Sequence, residues 1–281
     1  MFREGVAQVT EVRSGVQSID RAVRILRCFD ARHPELGITE ISRMTGLTTS
    51  TTHRLLLSMA ANRLLRQTSD RRYRVGPLMV QLGRSGAVPA TIRAVALPVM
   101  TGLRDEVDET VGLHELLPTG ERVVVEQVES RQELRRHYTD IGVPIRLPHG
   151  APGKAILAVL PWERQNEILS QPIEQVTART VTDRAILEEE LAASRARGWA
   201  GSNGERTSGI RAVAAPVFDH TGAVIGALGL SVPAIRMDDL RADELGLRAA
   251  EVAWEVSESL GATHQLVKET LEEATRPPDT E

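Results

Sequence analysis

The 281-residue sequence is poor in the residues that many functions require. It has a single cysteine, Cys28, which excludes an internal disulfide framework and a multi-cysteine zinc site. No stretch reaches the roughly 18 continuous apolar residues of a membrane helix. Residues 1–15 hold no apolar run, as expected of a chain without a secretory signal, and a cytoplasmic protein is the simple expectation. Catalytic signatures are missing as well: there is no His-Glu-x-x-His, no Gly-x-Gly-x-x-Gly opening a helix and no Gly-x-Ser-x-Gly. The seven histidines include no pair at metal-ligand spacing. His149 near Lys154 could serve acid/base chemistry, but a structural histidine at a loop bend is the simpler reading. No enzyme, metal or cofactor is expected.

Positive charge is also in deficit. The net charge of −4 is the wrong sign for a nucleic-acid binder, but it is unevenly spread. Residues 1–78 carry 13 basic and 7 acidic side chains, a net of +6, which leaves −10 for the rest. A basic head on an acidic body is the asymmetry expected when one domain meets phosphate and the other does not. The length suits two domains, and 41% hydrophobic with 26% charged residues is ordinary globular composition.

In the head, Ser18 can cap a helix whose stripe is Ile19, Ala22, Val23, Leu26 and Phe29. Cys28 beside it reads as packing. A loop at 30–37 contains Pro34 and Gly37. Thr39 then caps a short helix burying Ile41 and Met44, which Gly46 breaks. Thr48, Thr49 and Ser50 open a longer helix to about Ala61, with Leu55, Leu56 and Met59 inward. Two helices joined by about four residues with a glycine in the turn are a helix-turn-helix. The second opens with Ser50, Thr51, His53 and Arg54, side chains suited to base edges and phosphate. A hairpin follows, Leu64–Gln67 and Arg71–Val75, with Arg71 and Arg72 at its tip as a basic wing for backbone phosphate.

These residues resemble the isocitrate lyase regulator (IclR) family of bacterial transcription factors. The matching stretches are Val16 to Ala22, Ile38 to Leu47, Ser50-Thr51-Thr52-His53-Arg54-Leu55-Leu56, and Tyr73-Arg74-Val75-Gly76. Where the family often has Lys, this chain has Thr49. Where its helix usually ends in Gly, Asn62-Arg63 stands here, and Asn tolerates the left-handed turn. The resemblance continues through Leu147 to Ala158, Arg197-Gly198-Trp199, Gly204-Glu205 and Gly209 to Val217.

The body reads as mixed α/β. Strands are expected at Val111–Leu117, Arg122–Val128, Gly209–Phe218 and Ala223–Val232, the last pair joined by a turn at Asp219-His220-Thr221-Gly222. Helices are expected at 91–107, 154–159, 162–169, from Thr182-Asp183 to about Arg197, and as one span from Asp238 to Leu271. The expected organisation is a flexible segment 1–15, a winged helix-turn-helix at 16–77, a linker helix at 78–92, an effector and oligomerisation domain at 93–271, and a disordered tail at 272–281.

The resemblance implies that this second domain is GAF-like, a curved antiparallel sheet flanked by helices that binds a small organic molecule. It implies a homodimer or tetramer on paired operator half-sites of double-stranded DNA, most simply as a repressor. DNA contacts are expected from Thr39, Thr49, Ser50, Thr51, His53, Arg54, Arg71 and Arg72. In the body, Gly150, Ala151, Pro152 and Gly153 enter a helix whose start would suit a carboxylate; a Gly/Pro turn that simply caps the helix is equally open. Family positions that bind small carboxylates correspond to Ser202, Ala212, Gly229 and Ser231. Two of the four lack polar side chains, so an aromatic or acyl acid is expected in place of a small ketoacid. Gly226 and Gly229 either open space there or allow close backbone packing. A protein-interaction module, or a small-molecule-processing enzyme with an accessory head, is the alternative.

Overall fold

The computed structural model describes residues 16–29, 33–84, 91–138 and 140–275. The expected flexible segment 1–15, and residues 276–281 of the expected tail, lie outside them. The chain divides into two compact units, Met1–Ala90 and Thr91–Glu281.

The first unit contains α1 (Gln17–Leu26), α2 (Ile38–Thr45), α3 (Thr49–Ala61), β1 (Leu65–Gln67), β2 (Tyr73–Val75) and α4 (Pro77–Arg84). Its core joins Ile25, Cys28, Leu36, Ile41, Leu56, Met59, Leu65 and Tyr73. β1 and β2 pair antiparallel, Leu65 opposite Val75. Leu36 adds a further rung by exchanging both backbone hydrogen bonds with Tyr73, at 2.9 and 2.8 Å. A helix-turn-helix followed by a hairpin is thus the observed architecture.

Several expected details differ. Val16, not Ser18, precedes α1, with no side-chain cap. The expected stripe of α1 also turns: Ile19 and Val23 are exposed, while Ile25 is fully buried. Met44 is exposed too. The cap of α2 is Gly37 and not Thr39, because Glu40 reaches back to accept from the Gly37 amide at 2.6 Å. At the end of α3, Asn62 stays near φ −87° and Arg63 takes the left-handed conformation at φ 61°. Asn62 instead donates its side-chain amide to the Ser58 carbonyl at 2.9 Å.

The second unit runs α5 (Ile92–Val107), β3 (Thr110–Leu116), β4 (Glu121–Val128), β5 (Ile145–Arg146), α6 (Gly150–Val159), α7 (Trp162–Leu169), α8 (Arg184–Arg197), β6 (Ala200–Asn203), β7 (Ile210–Phe218), β8 (Val224–Pro233), α9 (Asp239–Ser259) and α10 (His264–Glu273). The six strands form one antiparallel sheet in the order β5-β4-β3-β8-β7-β6. Helices cover both faces, which is why its inner strands are buried nearly end to end. Alternation sorts the strand residues. Val111, Leu113, Val213, Ala215, Leu228 and Leu230 join α5 and α9 in one core. Ala212, Ala214 and Ala227 join α6 and α8 in the other.

All ten residues of α6 are buried. Gly153 makes this possible: any β-carbon there would fall on the Leu147 carbonyl, so only glycine lets the chain fold back at this point. The single helix expected over 238–271 is two, because Leu260 ends α9 and Gly261 turns at φ 92° before Thr263 caps α10. Residues 272 and 273, expected in the tail, complete α10. β5 and β6 were not expected at all. Among the described residues no helix is long and apolar enough to cross a membrane.

Candidate nucleic-acid interface and ligand cleft

In the first unit, α2 and α3 are locked by polar contacts at their junction. Gly46 turns at φ 69° and ends α2. Thr48 caps α3 by accepting from the Thr51 amide at 3.3 Å. Buried Thr52 accepts from Ser42 at 3.0 Å and donates to the Thr48 carbonyl at 3.0 Å, so it fixes one helix against the other. This leaves Thr49, Ser50, His53 and Arg54 exposed on the opening turns of α3. Thr51 is half-buried, and its hydroxyl accepts from Thr48 at 2.9 Å. Thr39 is exposed near the start of α2.

The wing separates its two arginines. Arg71 sits at the tip with φ 62°, exposed and without an ion pair among the described residues. Arg72 turns inward, donating to the Glu35 carbonyl and to Glu40, each at 2.9 Å. Since Glu40 also holds the Gly37 amide, Arg72 ties the hairpin to the start of α2. The Gly37 amide, with Arg72 and Arg43 beside it, keeps the Glu40 carboxyl below the usual range. Cys28 donates weakly to the Arg24 carbonyl at 3.4 Å, and burial raises its thiol pKa, both consistent with packing.

In the second unit a cleft opens on the α6 side of the sheet. Its enclosed space is about 40 Å³ beneath an open mouth, so a ligand larger than a few atoms would need the lining side chains to move apart. Of the expected residues it brings together Gly150, Ala151, Pro152, Ser202, Ala212 and Ser231. Gly153 and Gly229 do not line it. Gly153 is spent on the Leu147 approach, and a β-carbon at Gly229 would meet the Val213 carbonyl at 2.7 Å. Gly226 likewise lies against the His114 carbonyl, so both strand glycines serve close backbone packing.

The cleft owes most of its chemistry to residues the motif reading passed over: His114, Arg122, Arg136, Tyr138, Glu205 and Arg206. His114 on β3 and Arg122 on β4 are both fully buried side by side, Arg122 donating to His114 Nδ1 at 2.7 Å and to the His149 carbonyl at 2.8 Å. His149 is the residue preceding α6, so Arg122 links the cleft to that helix start. Tyr138 lies over Gly112, where a β-carbon would come within 3.0 Å of its ring, and its hydroxyl pairs with Ser231 at 2.6 Å. Arg136 stacks on the Tyr138 ring, 4.8 Å from its centroid. Arg206 forms an ion pair with Asp140. The signal in the sequence was the alternation of Val111 and Leu113 with Gly112 and His114, together with one arginine inside an apolar strand.

Burial, with the charges of Arg122 and Arg206, holds His114 well below its ordinary pKa. Burial and Arg206 lower Arg122 to about 9, which leaves it charged at neutral pH. Burial raises Glu205 against the pull of Lys154. Lys154 is buried and donates to Glu205 at 2.7 Å and to Glu190 at 3.0 Å. His149 is lowered by burial, and its Nε2 meets the Glu174 carbonyl at 2.9 Å. It faces neither Lys154 nor the cleft, so the acid/base pair considered from sequence does not assemble. Three arginines and one glutamate line the cleft, and Arg206 is paired with Asp140, so the lining keeps a net positive charge.

Two family models match the chain: the IclR helix-turn-helix domain over residues 18–69, and the bacterial transcriptional regulator IclR C-terminal domain over residues 87–258. The acetate operon repressor of Salmonella typhimurium is 29% identical over 93% of this chain and 96% of its own. Among solved structures, an IclR transcriptional regulator from Silicibacter superposes with a TM-score of 0.71 at 25% identity, over 88% of this chain and 97% of that one. An IclR homologue from Microbacterium hydrocarbonoxydans, solved in complex with 4-hydroxybenzoate, gives 0.54 at 26% identity, over 88% and 100%.

Proposed function

The chain belongs to the IclR family of DNA-binding bacterial transcriptional regulators, and from that premise we propose that an organic acid in the α6 cleft controls its hold on an operator. The relatives are regulators and not enzymes, and several carry repressor in their names. Repression is the output proposed here, with a homodimer or tetramer presenting two copies of α3 to successive major grooves.

The observation that carries the effector reading is the convergence of Arg122, Arg136 and Arg206 on the start of α6, a helix end that itself favours negative charge. Ala151, Pro152, Ile210 and Ala212 supply an apolar wall for a carbon body, which favours an aromatic or acyl acid. On the DNA side, Thr39, Thr49, Ser50, Thr51, His53 and Arg54 are the contact set, and Arg71 grips phosphate at the wing. Arg72 is assigned a positioning role, since its guanidinium is engaged by Glu35 and Glu40. An effector acts only by binding one DNA-binding state more tightly than the other.

The test is a fluorescence-anisotropy titration of the full chain against its own upstream DNA and a scrambled duplex, at two salt concentrations, with and without 4-hydroxybenzoate, benzoate and pyruvate. Preferential, salt-sensitive binding that one of these acids weakens is the expected result. Equal affinity for both duplexes would overturn operator recognition, and affinity indifferent to every acid would overturn the effector reading.

A further inference from the structure

Among the described residues of the second unit, four buried side-chain atoms have no hydrogen-bond partner: His114 Nε2, Arg122 Nε, Asp140 Oδ1 and Arg241 Nε, of which the first two belong to residues lining the cleft. Buried polar atoms in folded proteins are nearly always paired, so two orphans on adjacent side chains of one cleft call for an explanation. The protonation of the pair can be worked out from its geometry. A guanidinium has only donors. At 2.7 Å from Arg122 Nη1, His114 Nδ1 must therefore present a lone pair. The imidazolium, with protons on both nitrogens, is excluded, and the single ring proton sits on Nε2. Both orphans are thus donors. Burial beside two arginines keeps the ring neutral, in the same sense.

The rest of the setting fixes what could satisfy them. The Tyr138 ring stands edge-on to His114, with centroids 5.7 Å apart, and its hydroxyl is committed to Ser231. Arg122 spends its other nitrogens on His114 and on the His149 carbonyl. The pair holds two N–H groups and a positive charge beneath the cleft and offers no free acceptor; the one unpartnered acceptor nearby, Asp140 Oδ1, belongs to the carboxylate already paired with Arg206. We infer that His114, held by Arg122 as the neutral Nε2–H tautomer, is a specificity-determining donor of the cleft that with Arg122 Nε–H selects an ionised carboxylate over its amide; this rests on the reading of the cleft as the effector site. The amide places an –NH2 where only acceptors are matched, and it forgoes the charge–charge attraction to Arg122. Because Arg122 also holds the carbonyl preceding α6, the same contact ties recognition of the acid to that helix start.

The experiment uses the full chain labelled with 15N-histidine. At neutral pH a long-range 1H–15N spectrum is expected to show His114 as the Nε2–H tautomer; an Nδ1–H tautomer or an imidazolium would overturn the inference, whatever happens to any variant. Calorimetric titrations then compare 4-hydroxybenzoate, benzoate, pyruvate and acetate with the amide of each. A carboxylate that binds is expected to shift the His114 Nε2–H resonance and to bind about tenfold or more tightly than its amide, as for one buried hydrogen bond to a charged acceptor. His114→Asn, which keeps one acceptor and one donor, should retain binding, and His114→Phe should lose it. Carboxylate binding that leaves the resonance unmoved, or that survives His114→Phe, overturns the role of His114 while leaving the effector reading in place. Absence of binding by all four acids overturns the carboxylate reading and this inference together.

Discussion

The two surfaces proposed to carry function in this chain are built in opposite ways. On α3 the side chains that face outward, Thr49, Ser50, His53 and Arg54, are exposed, and the order beneath them comes from Thr48, Thr52 and Ser42. In the cleft His114, Arg122, Tyr138 and Ser231 are buried and hydrogen-bonded in two pairs, Arg122 with His114 and Tyr138 with Ser231. A long, charged partner that binds from solvent can be met by solvated side chains on a rigid frame. A small one gives up most of its own hydration, so its site must be assembled beforehand. Altering the first surface should therefore change affinity with little effect on stability, whereas altering the second should change stability as well.

The sharpest way to break this contrast is Arg122→Met. It orphans His114 Nδ1 and the His149 carbonyl together, and about 2–5 kcal/mol of unfolding free energy should be lost in urea denaturation. Stability unchanged within error would mean that the cleft is not preassembled. Next, Arg54→Ala should leave the urea midpoint in place and cost about 1–3 kcal/mol of operator affinity if it reads a base; an unchanged anisotropy titration would remove it from the contact set.

The buried histidines give the second unit a pH signature. His114 and His149 both have folded-state pKa values depressed from 6.5, so their contribution is complete above about pH 6.5. It is lost as pH falls below that, because the unfolded chain takes up protons that the folded chain refuses. Each can add up to about 1.4 kcal/mol per pH unit to the slope. Glu205 works in the other sense: its raised value lets the folded chain take a proton first, which offsets part of the loss below that value and down to about pH 4.5. Chemical denaturation between pH 7 and 5 should show the slope in the native chain and a shallower one in His114→Asn. The smallest effect separates the two wing arginines. Arg71→Ala should lower affinity for all duplexes alike and reduce the log–log salt slope by about 1. Arg72→Ala should affect DNA only through the placement of the hairpin, with the slope kept. Equal salt slopes in the two variants would remove the distinction.

The head was the more legible of the two in sequence, for a related reason. Its signals are local: Gly46, the Thr48 cap and the apolar spacing of Leu55, Leu56 and Met59 lie within a few residues of the features they create. The errors there arose where an apolar residue had two faces to choose from. Ile19 and Val23 fit a helical stripe as well as Ile25 does, and only packing against α2 and α3 decides for Ile25. The Thr39 cap failed because Glu40 could serve Gly37 from inside the helix. In the second unit the long hairpin of β7 and β8 was plain, since the Asp219 carboxylate accepts from the Thr221 amide at 2.8 Å and Gly222 turns at φ 83°. β6, with Ala200, Gly201, Ser202 and Asn203, carries no strand propensity and forms only because β7 offers it an edge. The small residues at the start of α6 could be seen, although Gly150–Gly153 form its first turn and not a loop before a helix at 154–159; Arg122, Tyr138 and Arg206 come from three distant segments, and no spacing rule connects them.

The burial of α6 on every side has a consequence for how such a regulator can diversify. A helix with ten buried residues and a glycine seated against the Leu147 carbonyl has almost no position at which a side chain can change size without disturbing the sheet beneath it. Ile210 and Ala212, by contrast, reach the cleft from a strand whose backbone pairing is indifferent to which side chain they carry. New chemical tastes are therefore most cheaply acquired from the sheet, one strand residue at a time, while the helix that closes the cleft stays the same.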